Sequence, residues 1–90
     1  MKRTISIHVT GKVQGVYYRQ STKEKAIAIG ITGHVQNERD GSVSIIATGT
    51  ENQLDDFINW CKRGPARAIV DKVLTETLPL EEFHSFLIER

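Results

Sequence analysis

The dipeptide Asp40-Gly41 stands between two strand-like runs and limits the possible folds more than any other feature of this chain. The runs cover residues 32–39 and 42–48. Asp-Gly is a strong hairpin signal, because both residues can adopt positive φ in a two-residue turn. The sequence therefore predicts a pair of antiparallel strands at the centre of the chain.

The first 30 residues predict one strand followed by one helix. Residues 4–10 alternate apolar and polar side chains, as expected of a strand with one buried face. Helix one begins between Tyr18 and Ser21, and a capping box formed by Ser21 and Glu24 favours the later start. Gly30 is suited to end this helix in a left-handed conformation. The stripe that predicts the helix consists of Tyr18, Thr22, Ala26 and Ile29.

A second helix is predicted after the hairpin. Thr50 and Gln53 form a capping box at its start, and Gly64-Pro65 ends it. Its apolar face has the i, i+3, i+4, i+7 spacing of an amphipathic helix and consists of Leu54, Phe57, Ile58 and Cys61.

Two further strands complete the predicted order of elements. Residues 68–77 form a strand whose alternation slips between Val70 and Val73, as a bulge would cause, and residues 84–88 form a short last strand. The order β-α-β-β-α-β, with a small extra strand at the end, predicts an α+β, ferredoxin-like split βαβ sandwich, with an antiparallel sheet and two helices on one face. We expect residues 1–90 to form one domain. Because unrelated activities share this fold, the fold alone does not predict function.

Composition excludes several functional classes. The 90-residue chain carries 12 Lys and Arg against 11 Asp and Glu, a formal net charge of +1. This charge is too small to attract nucleic acid or anionic lipid, and residues 42–47 lack the aromatic side chains on which RNA bases stack. No apolar stretch predicts a membrane span or signal peptide. We therefore expect a cytoplasmic protein with no nucleic-acid or membrane partner.

The cysteine and histidine residues predict no metal site. Cys61 is the only cysteine, so we expect it to fill apolar core space rather than form an internal disulfide. His8, His34 and His84 lack the spacing of metal ligands. Trp60, beside the apolar face of the second helix, is expected in the core or at its edge.

The segment Val13-Gln14-Gly15-Val16-Tyr17-Tyr18-Arg19, between the first strand and the first helix, is the first candidate for chemistry. Such a loop can direct unpaired backbone N–H groups toward a phosphate at the positive end of a helix dipole. The helix dipole disfavours a cation in the first helical turn by about 0.3–1 kcal/mol. A bound anion would make the position of Arg19 favourable, because the guanidinium would then pair with the anion. The simpler interpretation of the loop alone is a turn at Gly15 and a solvated arginine.

Asn37, near the end of the second predicted strand, is the second candidate. Alternation places it on the same face as Val35, which we expect the helices to cover and on which the first helix begins. Arg19 and Asn37 can therefore meet. Taken alone, an asparagine before a hairpin is more often a turn-capping residue.

The order and spacing of these residues resemble the acylphosphatase family over roughly residues 5–88. The loop is similar to the family signature V-Q-G-V-x-F-R, and Gly30-x-x-Gly33-x-Val35-x-Asn37 is similar to its G-x-x-G-x-V-x-N. The hairpin motif Asp40-Gly41-x-Val43 and the segment at 64–73 are also similar to family patterns.

The resemblance implies a metal-independent, cofactor-free hydrolase that splits the carboxyl-phosphate bond of acyl phosphates. It implies that Arg19 and the loop amides hold the phosphoryl group and that Asn37 positions the attacking water. The implied amides are those of Gly15, Val16, Tyr17, Tyr18 and Arg19. We expect a monomer whose partner is a small acyl phosphate. The alternative is a non-catalytic regulatory module of the same fold that binds a phosphorylated metabolite.

Two residues depart from the family pattern. Tyr18 stands where phenylalanine is usual, which adds a hydroxyl that needs a hydrogen-bond partner if it is buried. His34 stands where Trp or Tyr is common. These departures concern stability and substrate preference more than reaction type.

Overall fold

Five strands form one sheet in the computed structural model, which describes residues 1–89. The strand order across the sheet is β4-β1-β3-β2-β5, and α1 and α2 pack on one face of it, so the expected ferredoxin-like fold is confirmed. Along the chain the elements are β1 Lys2–Lys12, α1 Tyr18–Ile29, β2 Thr32–Asn37, β3 Val43–Thr50, α2 Glu51–Arg63, β4 Ile69–Leu78 and β5 Phe86–Glu89. Neither helix in the described residues has the length and apolar character needed to cross a membrane.

Alternation along the strands places the core between the sheet and the helices. In β1, Ile5, Ile7 and Val9 are buried, whereas Ser6 and His8 between them are partly exposed on the other face. The same alternation in β3 buries Val43, Ile45 and Ala47. The helices complete this core with Tyr18, Ala26, Leu54, Phe57 and Cys61.

The predicted capping box of α2 is confirmed, whereas the one considered for α1 is wrong. Thr50 Oγ1 accepts a hydrogen bond from the Gln53 amide at 3.2 Å, and the Gln53 side chain accepts one from the Thr50 amide at 2.8 Å. α1 begins at Tyr18, the earlier of the two expected starts. The Ser21 amide already donates to the Tyr17 carbonyl at 3.1 Å, so Ser21 lies inside the first turn and cannot cap it.

The central hairpin is confirmed, but its turn is longer than the expected two residues. The Glu38 amide donates to the Ser42 carbonyl at 2.9 Å, which closes a loop of three residues. Gly41 has a φ of 94°, whereas Asp40 keeps a negative φ. The Asp40 carboxylate instead accepts bonds from the Ser42 hydroxyl at 2.6 Å and the Ser42 amide at 2.9 Å. Three-residue loops with a left-handed glycine are the next most common hairpin after the two-residue type.

The sheet is antiparallel from β1 to β4, but β5 lies parallel to β2, with Gly33 opposite Phe86. The expectation of a wholly antiparallel sheet was therefore wrong at this edge. β4 and β5 lie on opposite edges and run in opposite directions, so the segment between them crosses the face that the helices leave open. Two buried threonines hold that crossing: the Glu81 amide donates to Thr4 Oγ1 at 2.8 Å, and the Thr48 hydroxyl donates to the Glu81 carbonyl at 2.6 Å.

The predicted bulge in β4 is confirmed. Thr10 of β1 pairs with Lys72, and the next residue, Gly11, pairs with Val70, so Asp71 has no partner in the register. This extra residue shifts the alternation between Val70 and Val73.

The close packing of β2 against β3 at Gly33 can be tested by substitution. Its φ is 141°, and a Cβ there would overlap the Ile46 carbonyl oxygen of β3. We expect Gly33→Ala to lower the free energy of unfolding by more than about 2 kcal/mol, because both backbone strain and a collision with main chain are introduced. Urea denaturation followed by Trp60 fluorescence measures the loss. Gly41→Ala is the matched control: its φ is 94° but its Cβ would stand in open space. Equal losses in the two variants would contradict the close packing at Gly33.

Candidate active site

The loop that joins β1 to α1 has an unusual backbone. Gly15 has a φ of 73° and Tyr17 a φ of 68°, while Val16 between them has a negative φ. Among the described residues, Tyr17 is the only non-glycine with positive φ, a conformation that costs a residue with a Cβ about 1–2 kcal/mol. Left- and right-handed residues in succession turn their N–H groups to one side, and such concave backbone is a common anion-binding arrangement.

The N–H groups of this loop lack protein acceptors. Within residues 1–89, no backbone amide from Gly15 to Gln20 donates a hydrogen bond to a protein atom, and the first amide that does so is that of Ser21. Tyr17 precedes the helix and provides no side-chain cap. The loop and the first turn therefore offer a row of free donors at the positive end of the helix dipole.

Arg19 is the second residue of α1 and is partly buried. No acidic residue lies in the first turn of the helix, and no carboxylate within residues 1–89 lies within 4.0 Å of the guanidinium. Within residues 1–89 its one hydrogen bond runs from Nη1 to the backbone carbonyl of Glu89 in β5 and is long, at 3.4 Å. Among these residues Arg19 therefore has no carboxylate partner, at a position where the helix dipole disfavours a cation.

Asn37 ends β2 on the helix-covered face that it shares with Gly33 and Val35. Its main chain lies opposite Val43, and its side chain is exposed and makes no hydrogen bond to any described residue. The turn-capping interpretation does not describe it, because Asp40 caps the turn instead.

Arg19 and Asn37 line one small cleft of about 240 Å³ together with most of the loop. That volume is below the roughly 300–1,000 Å³ of pockets for drug-sized ligands and suits a small charged group. Among the described residues that line the cleft, Arg19 is the only charged one. Val16 is the one predicted loop residue outside the lining, since its side chain is 5% exposed and lies in the core. The lining residues are Val13, Gln14, Gly15, Tyr17, Tyr18, Arg19, Gln20, Asn37 and Ile88.

Gln14 has a contact to which the sequence assigned no role. Its side-chain amide donates to the Glu38 carbonyl and to the Ser42 carbonyl, each at 2.8 Å. The sequence offers one weak signal for this contact: Gln14 is polar, although the turn at Gly15 does not require a polar side chain before it. Both acceptors belong to the hairpin that follows Asn37.

The hairpin acids are held in place by local donors. A hydrogen bond from the Ser42 hydroxyl, followed by one from the Ser42 amide, lowers the pKa of Asp40 below its usual value. The pKa of Glu38 is lowered mainly by the Gln36 side-chain amide, which donates to its carboxylate at 2.8 Å. Both carboxylates therefore stay ionised at neutral pH and neither lines the cleft.

His34, one of the two departures from the family pattern, lies on the opposite face of the sheet from Asn37. Its Nδ1 is 3.6 Å from a carboxylate oxygen of Glu89 and makes no hydrogen bond, and its ring meets that of Phe83 edge-on at 5.7 Å. Within residues 1–89, no histidine lines the cleft, and no group of three or more His, Cys, Asp or Glu side chains is placed to hold a metal ion.

Tyr18, the other departure, finds the partner that its hydroxyl requires. The buried hydroxyl donates to the Cys61 carbonyl at 2.8 Å and joins the first turn of α1 to the last turn of α2. Burial raises the pKa of this phenol well above its usual value.

Cys61 is buried as expected, and burial raises the pKa of its thiol to about 12. Trp60 packs beside Tyr18 and Cys61 at the core edge, with its ring 5.6 Å from that of Tyr18.

Comparison with known proteins identifies relatives of the whole chain. The family model described as Acylphosphatase matches residues 5–88. An acylphosphatase of Marinobacter nauticus is 52% identical over 79 residues, which are 87% of this chain and 86% of that protein. The crystal structure of acylphosphatase from Bacillus subtilis superposes with a TM-score of 0.95 at 34% identity and covers 100% of both chains. An acylphosphatase structure from Coxiella burnetii also has a TM-score of 0.95, at 33% identity, with 98% of this chain and 93% of that chain covered.

The buried hydroxyl of Tyr18 predicts a measurable contribution to stability. We expect Tyr18→Phe to lower the free energy of unfolding by about 1–2 kcal/mol, because the Cys61 carbonyl loses its side-chain donor. Urea denaturation measures the change. Tyr17→Phe is the matched control, since the Tyr17 side chain is 63% exposed and should lose nothing. A Tyr18→Phe protein as stable as the native chain would show that this bond contributes no net stability.

Proposed function

This chain belongs to the acylphosphatase family, and we propose that Arg19, Asn37 and the amides of the β1–α1 loop carry out the family's hydrolysis of acyl phosphates. The observation that carries the proposal is the cleft itself. In the part of the chain that the structure describes, it brings backbone donors without protein acceptors, a guanidinium without a carboxylate partner and a carboxamide without a hydrogen-bond partner around a space for a small anion.

The phosphoryl group is held by the loop and by Arg19. The amides from Gly15 to Arg19, that of Val16 included, donate to its oxygens, and the guanidinium grips two of them with parallel hydrogen bonds. Hydrogen bonds to charged groups contribute about 1.5–3 kcal/mol each. Since charge spreads over the equatorial oxygens in the loose transition state, these fixed donors stabilise it without rearrangement.

The leaving group explains why the cleft needs no acid. An acyl phosphate departs as a carboxylate, whose conjugate acid has a pKa near ~4, so it requires no proton from the protein. Among the described residues, no histidine or carboxylic acid, the most common general acids, lines this cleft. Positioning and electrostatic stabilisation are then the two tasks left to the protein.

Asn37 positions the attacking water. Its amide can both donate and accept a hydrogen bond, which orients the water oxygen toward phosphorus. The new P–O bond forms as the bond between phosphorus and the carboxylate oxygen breaks. Neither Arg19 nor Asn37 is a base at neutral pH, so the water proton passes to a phosphoryl oxygen. The chemistry requires no metal and no cofactor.

We further propose that residues 1–90 act as one monomeric domain in the cytoplasm on a small-molecule substrate, without a nucleic-acid partner. One hydrophobic core connects the sheet and both helices, and Arg19, Asn37 and the loop line a single cleft. The small net charge of +1 also disfavours a polyanionic partner.

Replacement of Arg19 and of Asn37 tests the assignment. We expect Arg19→Ala and Asn37→Ala each to lower kcat for benzoyl phosphate at least about 10²-fold, the loss typical of a fixed transition-state donor. Arg19→Ala should also weaken inhibition by inorganic phosphate more than tenfold, whereas Asn37→Ala should not, because Asn37 touches the water. Phosphate release is measured in the presence and absence of EDTA, and EDTA should change nothing.

Exposed residues of the same types on α2 provide the controls for this experiment: Arg63→Ala and Asn59→Ala should keep native kcat. Folded Arg19 or Asn37 variants with full activity would reject the assignment. Phosphate release by the native chain at no more than the buffer rate would leave only binding.

The pH profile tests the absence of a general base. Arginine stays protonated throughout the accessible range and asparagine does not titrate, so we expect kcat to be flat between about pH 5 and 8. A bell-shaped profile with a limb near ~6.5 would point to a histidine instead. Since His34 lies on the other face of the sheet, His34→Gln should leave the profile flat.

A further inference from the structure

The Gln14 side chain connects the two halves of the candidate site. Its Nε2 donates both hydrogens, one to the Glu38 carbonyl and one to the Ser42 carbonyl, each at 2.8 Å. These two residues face each other across the base of the hairpin, where the Glu38 amide bonds to the Ser42 carbonyl at 2.9 Å. One side chain from the loop therefore forms hydrogen bonds to both sides of the hairpin base, directly after Asn37 in the chain.

No other hydrogen bond within residues 1–89 joins the loop at 13–17 to the hairpin at 38–42. The loop carries the free amides and leads directly into Arg19, whereas Asn37 ends β2 directly before the hairpin. The sheet fixes the main chain of Asn37 through its pairing with Val43, and the double hydrogen bond adds a direct link between the loop and the residues that follow Asn37.

The hairpin has its own supports and does not need Gln14 to form. The Asp40 carboxylate accepts hydrogen bonds from the Ser42 amide and the Ser42 hydroxyl, and the Gln36 side-chain amide donates to the Glu38 carboxylate at 2.8 Å. Loss of the Gln14 bonds would therefore let an intact hairpin move as a unit relative to the loop. It would not unravel the turn.

We propose that Gln14 is a positioning residue that sets the distance between the water held by Asn37 and the phosphoryl group held by the loop and Arg19. The proposal rests on the function proposed above. A displacement of about 1 Å at a reacting centre can lower the rate about 10²-fold. Phosphate binding needs the loop and Arg19 but not the hairpin, so Gln14 should affect kcat much more than phosphate affinity.

Gln14→Met tests this proposal, because methionine has similar length but cannot donate. We expect kcat for benzoyl phosphate to fall about 10–100-fold, while the inhibition constant of inorganic phosphate stays within threefold of the native value. Gln14→Asn, which keeps the amide on a shorter stem, should show the same pattern and replaces the methionine variant if that variant does not fold. Unchanged kcat, or a phosphate inhibition constant that rises in parallel with the loss in kcat, would overturn the proposal.

A double variant separates positioning from a general effect on the fold. If Gln14 acts through Asn37, Gln14→Met should lower the residual kcat of Asn37→Ala less than threefold, whereas multiplicative losses would contradict the link. Thr48→Val controls for stability, since it removes a buried hydrogen bond on the opposite face of the sheet and should leave kcat within twofold.

The two proposals fail differently in these experiments. A native chain that releases no phosphate, or fully active Arg19 and Asn37 variants, would reject the proposed function. An active native chain that loses activity with Arg19→Ala and Asn37→Ala, yet keeps native kcat with Gln14→Met, would reject only the role of Gln14.

Discussion

The backbone of the loop before α1 leaves its amides unpaired, and the rest of the site depends on this constraint. Left-handed residues at Gly15 and Tyr17 turn the chain so that helix α1 starts at Tyr18 with free N–H groups at its positive end. Tyr17 carries a side chain in a conformation that normally favours glycine, so the surrounding structure must hold it. The same turn places the cation of Arg19 in the first turn of α1, where the helix dipole disfavours it and a bound anion would stabilise it.

The scaffold holds this loop from three sides. The Tyr18 hydroxyl fixes the first turn of α1 to the last turn of α2 through the Cys61 carbonyl. Gln14 fixes the loop to the hairpin, and Arg19 reaches the backbone of Glu89 in β5. Each contact joins the loop to a different element, so a site built from short backbone segments rests on long-range hydrogen bonds. A chain of 90 residues has a small hydrophobic core, so these hydrogen bonds help to fix the position of the loop where apolar burial alone would not.

Much of this arrangement could be predicted from local patterns. Alternation and helical spacing predicted every element, and strand parity placed Asn37 on the helix-covered face near Arg19. Predictions from local sequence patterns were wrong or incomplete where the structure depends on residues far apart in the chain. Ser21 and Glu24 fit a capping box, but the left-handed Tyr17 starts the helix one turn earlier and brings the Tyr18 hydroxyl to Cys61. The parallel pairing of β5 with β2 results from the path of the chain across the open face of the sheet. The local sequence pattern does not predict that path. The two hydrogen bonds of Gln14 could not be predicted either, because their acceptors are carbonyls 24 and 28 residues away.

An NMR titration with inorganic phosphate tests the proposed binding of the phosphoryl group by the free loop amides and Arg19. Nitrogen-15 spectra of the native chain should show saturable shifts concentrated on the amides from Gly15 to Gln20 and on Arg19 Nε, with smaller changes at Asn37. The amides of the open sheet face, such as those of Ser6 and Ser44, should not move. Saturable shifts confined to residues outside the cleft, or no shifts at phosphate concentrations that inhibit hydrolysis, would contradict the claim.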